Sequence, residues 1–277
     1  MTEALKAWLR FYSKAVTRYQ LHAPLAFALE EALLRDPREY YAYNRIDRLR
    51  AMLREDYHEI EFPDYGAGPR QLQLNGKTTG KRSVADIARR SASTSRQGRM
   101  LFRLTQFVKP DTILELGSSL GLGSAFLRAA ALKAQFISLE GSAACVEIAR
   151  RNLELLELPA VDFRVGPFET TLEKALRDLP SLDLAFIDGN HRLEPTLRYF
   201  EACLPLARNH SIFVFDDIYW SDEMQRAWQQ IIAHPRVRLS LDCWDFGLIA
   251  FDSAVLHPQH YSIVPTWMKP WKAFAGW

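Results

Sequence analysis

Beyond Pro110 the chain alternates short apolar runs with stretches of helical periodicity, and this alternation limits the possible folds more than any other feature. The five apolar runs that precede a helical stretch predict strands at 112–116, 136–140, 161–165, 182–188 and 211–217. Strands that alternate with helices predict a parallel sheet covered on both faces. Two further runs, 237–241 and 246–251, are too close together for a crossover helix, so we expect them to pair antiparallel. The sequence therefore predicts an α/β fold with a seven-strand sheet.

The region before this sheet has a different character. Apolar residues recur at three- and four-residue steps up to about residue 60, which predicts a helical segment. Residues 61–83 are rich in Gly, Pro, Asn and Thr and predict a long loop, with contact to a ligand left open. We divide the chain into a helical, basic N-terminal cap (1–94), an α/β domain (95–252) and an aromatic C-terminal tail (253–277). The tail is expected to pack on the domain, with a partner or lipid contact as the alternative.

Composition sets the broad class of the protein. Of the 277 residues, 48% are hydrophobic and 25% are charged, which is typical of a globular chain with a real core. No charge-free run is apolar enough to predict a membrane span, and the N-terminus lacks the uninterrupted apolar segment of a secretory signal. Three widely spaced cysteines argue against a disulfide framework, so a cytoplasmic location is expected. A homo-oligomer is left open.

Charge is distributed unevenly between the two halves. Residues 1–109 carry 20 Lys and Arg against 12 Asp and Glu, whereas residues 110–277 carry 15 against 21. Within the first half, residues 70–103 hold nine basic side chains and one acid, Asp86. Such a stretch attracts an anionic group or forms a solvated face. Nucleic acid is not expected as a partner, although a non-catalytic RNA-binding module remains the alternative from another class.

Two acidic residues at predicted strand ends indicate a binding site. The first strand ends at Glu115 and runs into a glycine-rich turn, 117–123, before a helix. Glycines allow the backbone to approach a ligand, and helix N-terminal amides bind its carboxylate or phosphate. The spacing GxxxGxG differs from the dinucleotide fingerprint, so a nicotinamide-dependent oxidoreductase is only a weaker alternative. Glu140 ends the second strand, where a carboxylate can accept both hydroxyls of a ribose.

With the turn, Glu115 and Glu140 in place, the chain resembles the class I S-adenosylmethionine-dependent methyltransferases over about residues 95–252. Segments 182–200 and 211–228 look like a bacterial branch related to small-molecule and sugar O-methyltransferases. The resemblance implies a Rossmann-like sheet in the order 3-2-1-4-5-7-6 with the last strand antiparallel. It also implies S-adenosylmethionine as the cofactor.

The resemblance further assigns residues to that cofactor. The predicted contacts to its methionine part are Glu115, Gly117, Ser118 and Gly121. Glu140 is expected to hold the ribose, and Phe168 is expected either to stack on the adenine or to be part of the core. Asp188, at the end of the fourth strand, completes the predicted cofactor site.

The same strand ends carry the residues that we expect to be catalytic. An acceptor hydroxyl must lose its proton as it attacks the methyl group, and His191, beside Asp188, is a suitable general base. Alternatively, Asp188, Asp216 and Asp217 hold a divalent cation such as Mg²⁺. Neighbouring strand residues point to opposite faces, so Asp216 and Asp217 can ligate together only where the strand has bent. The predicted function is O-methylation of a small hydroxylated acceptor; a non-catalytic cofactor- or RNA-binding module is the alternative.

Overall fold

The structure, a computed structural model, describes residues 3–63, 79–90 and 93–273. Most of the predicted loop 61–83 and the last aromatic residues of the tail, Phe274 and Trp277, lie outside the described residues.

The described residues form helices and strands with the following bounds. The α-helices are α1 Glu3–Lys14, α2 Pro24–Glu30, α3 Tyr41–Arg54, α4 Val84–Arg90, α5 Ser95–Val108, α6 Leu122–Ala130, α7 Ala143–Leu155, α8 Phe168–Arg177, α9 Leu193–Cys203 and α10 Asp222–Ile232. A π-helical segment, Glu31–Arg35, extends α2, and short 3-10 turns lie at Arg18–Gln20, Leu204–Leu206, Thr266–Met268 and Pro270–Ala273. The strands are β1 Glu59–Pro63, β2 Thr79–Ser83, β3 Thr112–Leu116, β4 Gln135–Glu140, β5 Asp162–Val165, β6 Leu182–Ile187, β7 Ala207–Asp216, β8 Leu239–Asp242, β9 Phe246–Ala250 and β10 Gln259–Ser262.

One large sheet organises the second half of the chain. Its strand order is β10-β8-β9-β7-β6-β3-β4-β5, and β9 is antiparallel to both of its neighbours. The seven strands from β3 to β9 stand in the predicted order, so the predicted Rossmann-like topology with an antiparallel last strand is confirmed. The strand count was predicted one too low, because Gln259–Ser262 adds an eighth strand parallel to β8. This strand lies within the segment predicted as a tail.

Burial explains why the central strands are continuously apolar. Every residue of β3 and of β6 is buried, as a parallel strand between two helical layers requires. On one face, Leu29 of α2 and Leu104 of α5 belong to a core cluster with Phe186 of β6. On the other face, Phe200 of α9 and Trp228 of α10 belong to a second cluster. The N-terminal helices α2 and α5 thus contribute directly to the core of the sheet.

The N-terminal part also contains structure that the sequence did not predict. Strands β1 and β2 pair antiparallel on either side of the undescribed residues 64–78. Helix α5 begins with a capping box, in which Thr94 accepts from the amide of Gln97 and the Gln97 side chain accepts from the amide of Thr94.

The domain boundaries at 94/95 and 252/253 remain predictions. No helix in the described ranges combines the length and the apolar character needed to cross a membrane.

Candidate active site

The turn between β3 and α6 requires glycine at two positions. Gly117 has φ 97°, and a Cβ atom there would lie 1.8 Å from the carbonyl oxygen of Asp188. Gly121 has φ 78°, and its Cβ would lie 2.8 Å from that of Ala149 on α7. Residues with a Cβ atom are disfavoured at positive φ and would have no room here. The two glycines therefore allow the turn to pack closely against the end of β6 and against α7. The predicted strand–turn–helix unit is confirmed.

Glu115 lies directly beneath this turn and is fully buried. Its Oε2 atom accepts hydrogen bonds from Ser124 Oγ at 2.5 Å and Ser138 Oγ at 2.6 Å. Its Oε1 atom is buried and has no hydrogen-bond partner among the described residues. Burial disfavours the charged form and raises the pKa of Glu115 from 4.5 to about 7. The carboxyl group therefore has one oxygen still available to a polar ligand.

Two further buried polar atoms lie in the turn itself. The hydroxyl oxygens of Ser118 and Ser119 are buried and have no hydrogen-bond partner within residues 3–63, 79–90 and 93–273. They line a small gap together with Gly117, Ser93 and Asp188. A buried polar atom without a partner is costly, and native proteins rarely leave several of them side by side. We name this group the cradle; it consists of residues 115–123 with Glu140 and Asp188.

Glu140 closes the cradle from the end of β4. Its Oε2 accepts from the amide of Ser119 at 2.8 Å, and its Oε1 accepts from the amide of Ser142 at 2.9 Å. Burial raises the pKa of Glu140, while these amide donors oppose the rise. Each oxygen retains further acceptor capacity for a hydroxyl donor. Ser142 also caps α7 and donates to the carbonyl of Glu61 at 3.3 Å, which joins strand β1 to the rim of the cradle.

The ends of β6 and β7 bring two carboxyl groups together. Burial raises the pKa of Asp188 and of Asp216 well above the usual value; the charge of Asp216 adds to the rise at Asp188, and the charge of Asp217 adds to the rise at Asp216. A hydrogen bond with the Asp188 side chain partly opposes the rise at Asp216. The Nε2 atom of Gln97 donates to Asp216 Oδ1 at 3.2 Å. The N-terminus of α5 is thereby fixed to the acidic pair.

His191 lies beside this pair. Its Nε2 atom is 3.5 Å from Asp188 Oδ1 and 3.9 Å from Asp217 Oδ2. Burial lowers the pKa of His191, so the imidazole is neutral at neutral pH and able to take a proton. The indole of Trp220 lies 6.4 Å away, measured between ring centroids, and forms an apolar wall. The structure therefore brings together the two residues that the sequence predicted as catalytic.

The strand ends also adopt unusual backbone conformations. Ser119, Asn190, Asp217 and Trp244 all have positive φ, at 48°, 59°, 52° and 70°. Such conformations are unfavourable for non-glycine residues and concentrate at functional sites. The left-handed conformation of Asp217 bends the backbone directly after β7. Such a bend is what Asp216 and Asp217 require if both are to bind the same cation. Nevertheless, among the described residues no three His, Cys, Asp or Glu side chains are grouped so that they could hold a metal ion.

Phe168 lies at the first position of α8, on the flank of the cradle. Its ring packs so closely on Gly189 that a Cβ there would lie 2.6 Å from Phe168 Cε2. The ring also meets Tyr199 edge to face, with centroids 5.6 Å apart. Phe168 is half-buried and adjacent to the segment that carries Asp188. Stacking on an adenine stays a prediction.

Sequence reasoning missed the contribution of α5. Gln97 could have been found from the Thr94-x-x-Gln97 capping pattern, but nothing in that pattern indicates that its amide nitrogen reaches Asp216.

Arg96 pairs with Asp245 at 3.2 Å, beyond the end of β8. Three other basic side chains of the predicted basic stretch also form ion pairs. These pairs are Arg89 with Glu55, Arg90 with Asp86, and Arg99 with Glu39 and Asp47.

Comparison with known proteins identifies the type of domain. Residues 114–218 match the protein family described as "Methyltransferase domain". No curated protein matches the chain.

Several crystal structures share the fold. The O-methyltransferase from Bacillus cereus in complex with SAH is 20% identical, with a TM-score of 0.51 over 82% of this chain and 96% of that chain. The cofactor-bound protein Rv0187 from MTB is 21% identical, with a TM-score of 0.53 over 84% and 99%. The SAH-bound Podospora anserina methyltransferase PaMTH1 is 19% identical, with a TM-score of 0.50 over 78% and 99%. At these identities the similarity establishes the fold.

The family match runs from residue 114, within β3, to just past the end of β7 and includes the whole glycine turn and the ends of β4 and β6. The surrounding sheet has the strand order that the resemblance implied. The prediction of a methyltransferase is confirmed by this match to the methyltransferase-domain family within a Rossmann-like sheet.

Proposed function

We propose that this chain transfers a methyl group from S-adenosylmethionine to an oxygen of a small hydroxylated acceptor, with His191 as general base. The observation that carries the proposal is the set of buried cradle atoms to which no other described residue forms a hydrogen bond, namely Glu115 Oε1 and the hydroxyls of Ser118 and Ser119. They lie within the segment that matches the methyltransferase family. The related structures in complex with SAH support the choice of cofactor.

The chemistry of the cradle suits this cofactor. Glu115, Gly117, Ser118 and Gly121 offer hydrogen-bonding groups and open backbone to its methionine part, and Glu140 offers carboxylate oxygens to its ribose hydroxyls. Phe168 and Asp188 flank the remaining side. When bound, S-adenosylmethionine supplies an electrophilic methyl group on a sulfonium. A negative or readily ionised lining is favourable for such a cation and would repel a pyrophosphate.

His191 performs the proton transfer in this scheme. Burial keeps the imidazole neutral, so it can accept the hydroxyl proton as the acceptor oxygen forms its bond to carbon. Asp188, 3.5 Å from His191 Nε2, then stabilises the imidazolium that results. A general base of this kind contributes roughly 10² to 10⁴ in rate. Much of the remaining acceleration comes from holding the two reactants in line.

A cation at the acidic pair is a second candidate mechanism, and Mg²⁺ fits the oxygen ligands best. The observation that favours it is the burial of Asp188 next to Asp216, with Asp217 at the bend that follows. A bound cation would polarise the acceptor oxygen and lower the pKa of its hydroxyl. Activity that persists after exhaustive chelation excludes this mechanism, and activity restored by Mg²⁺ alone supports it.

The small acceptor and the cytoplasmic location belong to the same proposal. The three cysteines are free and buried in the described residues, as expected of a chain that folds in a reducing compartment. Arg89, Arg90, Arg96 and Arg99 of the basic stretch are engaged in ion pairs within the protein, which favours a small acceptor over a nucleic acid.

Calorimetry and one substitution test the proposal. S-adenosylmethionine should bind, whereas NAD should give no heat; the reverse result overturns the cofactor assignment. His191→Ala should abolish methyl transfer, measured with methyl-labelled cofactor and a panel of hydroxylated acceptors, and leave cofactor affinity unchanged. His257→Ala is the matched control, because His257 is exposed and far along the chain from the cradle. A fully active His191→Ala variant would exclude His191 as the base.

A further inference from the structure

We propose that the chain has a second small-molecule site, which takes a small organic anion with an apolar body. The site is a cleft of about 370 Å³ between α1 and α10, over strands β8 and β10. A volume of this order is typical of ligand pockets. None of the residues that line the cleft lines the gap beside Gly117, so it is separate from the cradle. The inference does not depend on the proposed function.

The walls of the cleft are apolar and rigid. The cleft is lined by Phe11 of α1, by Trp228 and Ile232 of α10, and by Ile218, which follows β7. Phe11, Trp228 and Ile218 are buried residues. Tyr219, the neighbour of Ile218, stacks on Trp244 with ring centroids 4.5 Å apart. A flat or branched apolar group would be covered on several sides by side chains that are already fixed.

The floor is polar, and its carboxyl group, Asp242, already has hydrogen-bond partners. Asp242 accepts hydrogen bonds from Tyr219 at 2.5 Å, from Ser262 at 3.2 Å and from the amide of Trp244 at 3.0 Å. The apolar walls and the basic opening are therefore the surfaces on which a ligand would be recognised.

Basic side chains surround the opening. Arg10 and Lys14 lie one turn apart on α1, both exposed, and His260 of β10 lies opposite them at the mouth. Within the described part of the chain no carboxylate pairs with Arg10 or Lys14, in contrast to Arg96 and Arg99, which are paired. Two unpaired cations over an apolar cleft select a ligand with a carboxylate or sulfonate at one end.

The test uses the whole protein saturated with S-adenosylhomocysteine, so that the cradle is occupied. Anilinonaphthalene sulfonate, an organic anion with a flat apolar body, is titrated into protein with isotope-labelled isoleucine methyl groups. Saturable shifts of the Ile218 and Ile232 signals, with Ile113 and Ile148 unchanged, are expected. The signals are assigned with Ile→Val substitutions at Ile218 and Ile232. Shifts restricted to isoleucines outside the cleft, or no saturable binding, overturn the proposal.

Two variants test the chemistry of the site. The double variant Arg10→Gln with Lys14→Gln should bind the probe roughly tenfold more weakly, because two charge contacts at an exposed mouth are lost. The matched control, Lys133→Gln with Arg151→Gln, removes two exposed charges elsewhere and should bind normally. Gln229→Trp fills the cleft from its exposed side and should block binding without disturbing the core. Unchanged affinity in the double variant or in Gln229→Trp, with folding confirmed by thermal denaturation, refutes the assignment.

Discussion

Glu115→Gln tests whether the carboxyl group beneath the glycine turn is protonated in the folded protein. The residue is fully buried, and burial raises its pKa from 4.5 to about 7. In the unfolded chain the pKa returns to its usual value, so the folded state binds more protons between the two pKa values. Stability therefore falls as pH rises through this window. Above the folded pKa the full difference amounts to about 3 kcal/mol.

The variant removes this titration and retains a carbonyl acceptor for the hydroxyls of Ser124 and Ser138. The unfolding free energy of the variant minus that of the wild type should be about 2 to 3 kcal/mol larger at about pH 8 than at about pH 5, because only the wild type loses stability as the pH rises. Urea denaturation followed by circular dichroism at several pH values measures it. Other buried carboxyl groups are common to both proteins and cancel in the difference.

Glu173→Gln is the control for this experiment, because its side chain is exposed on α8. Its stability difference from the wild type should be independent of pH over the same range. If Glu115→Gln also runs parallel to the wild type at every pH, the carboxyl group is ionised when folded, and the assignment of a raised pKa is refuted.

Four further outcomes are expected. The acid limb of kcat/KM should have a midpoint below 6.5, because burial lowers the pKa of His191; a midpoint above 6.5 contradicts a neutral buried base. Gln97→Glu should lower kcat more than Gln97→Ala, since it places a carboxylate 3.2 Å from Asp216 Oδ1; equal rates would show that this contact does not position the acidic pair. Gly117→Ala should abolish cofactor binding in calorimetry, because its Cβ meets the carbonyl of Asp188; normal binding contradicts the close approach. Affinity for S-adenosylmethionine relative to its neutral product should rise with pH above the usual carboxylate range, because the pKa of Asp188 is raised and a cation favours its ionised form, and Asp188→Asn should flatten the trend.

The sheet could be predicted closely because its signals are local. The runs 112–116 and 136–140 coincide with β3 and with all but the first residue of β4, since each is a short apolar run bounded by turn residues. Strand β10 was missed because the half-buried segment Gln259–Ser262 lacks an apolar alternation, and only its pairing with β8 makes it a strand. Edge strands that depend on a partner leave a weak local pattern.

The candidate site, like the sheet, has a part that could be predicted from the sequence and a part that could not. Glu115, Glu140 and Asp188 follow apolar runs, so their place at one edge of the sheet follows from parallel strands alone. The contact of Gln97 with Asp216 joins residues 119 positions apart, and no local pattern encodes it. Which carboxyl groups lose their charge also depends on burial in three dimensions, as the difference between buried Asp216 and half-exposed Asp217 shows.

The acidic side chains at the carboxyl ends of β3, β6 and β7 are close enough to influence one another's pKa values. Glu115 and Asp216 are buried, Asp188 lies half-buried beside them, and the charges of Glu115 and Asp216 both raise the pKa of Asp188. A folded protein can hold such a group of acids only if protons, hydrogen bonds or a positive ligand compensate them. Ser124, Ser138 and Gln97 compensate part of the cost, and the raised pKa values make protonation a second means of compensation. A ligand that brings its own positive charge can replace those protons, and this gives a sulfonium an advantage that a neutral or anionic ligand does not have. The neutral His191 at the margin of the same group then provides a proton acceptor that does not add to the negative charge.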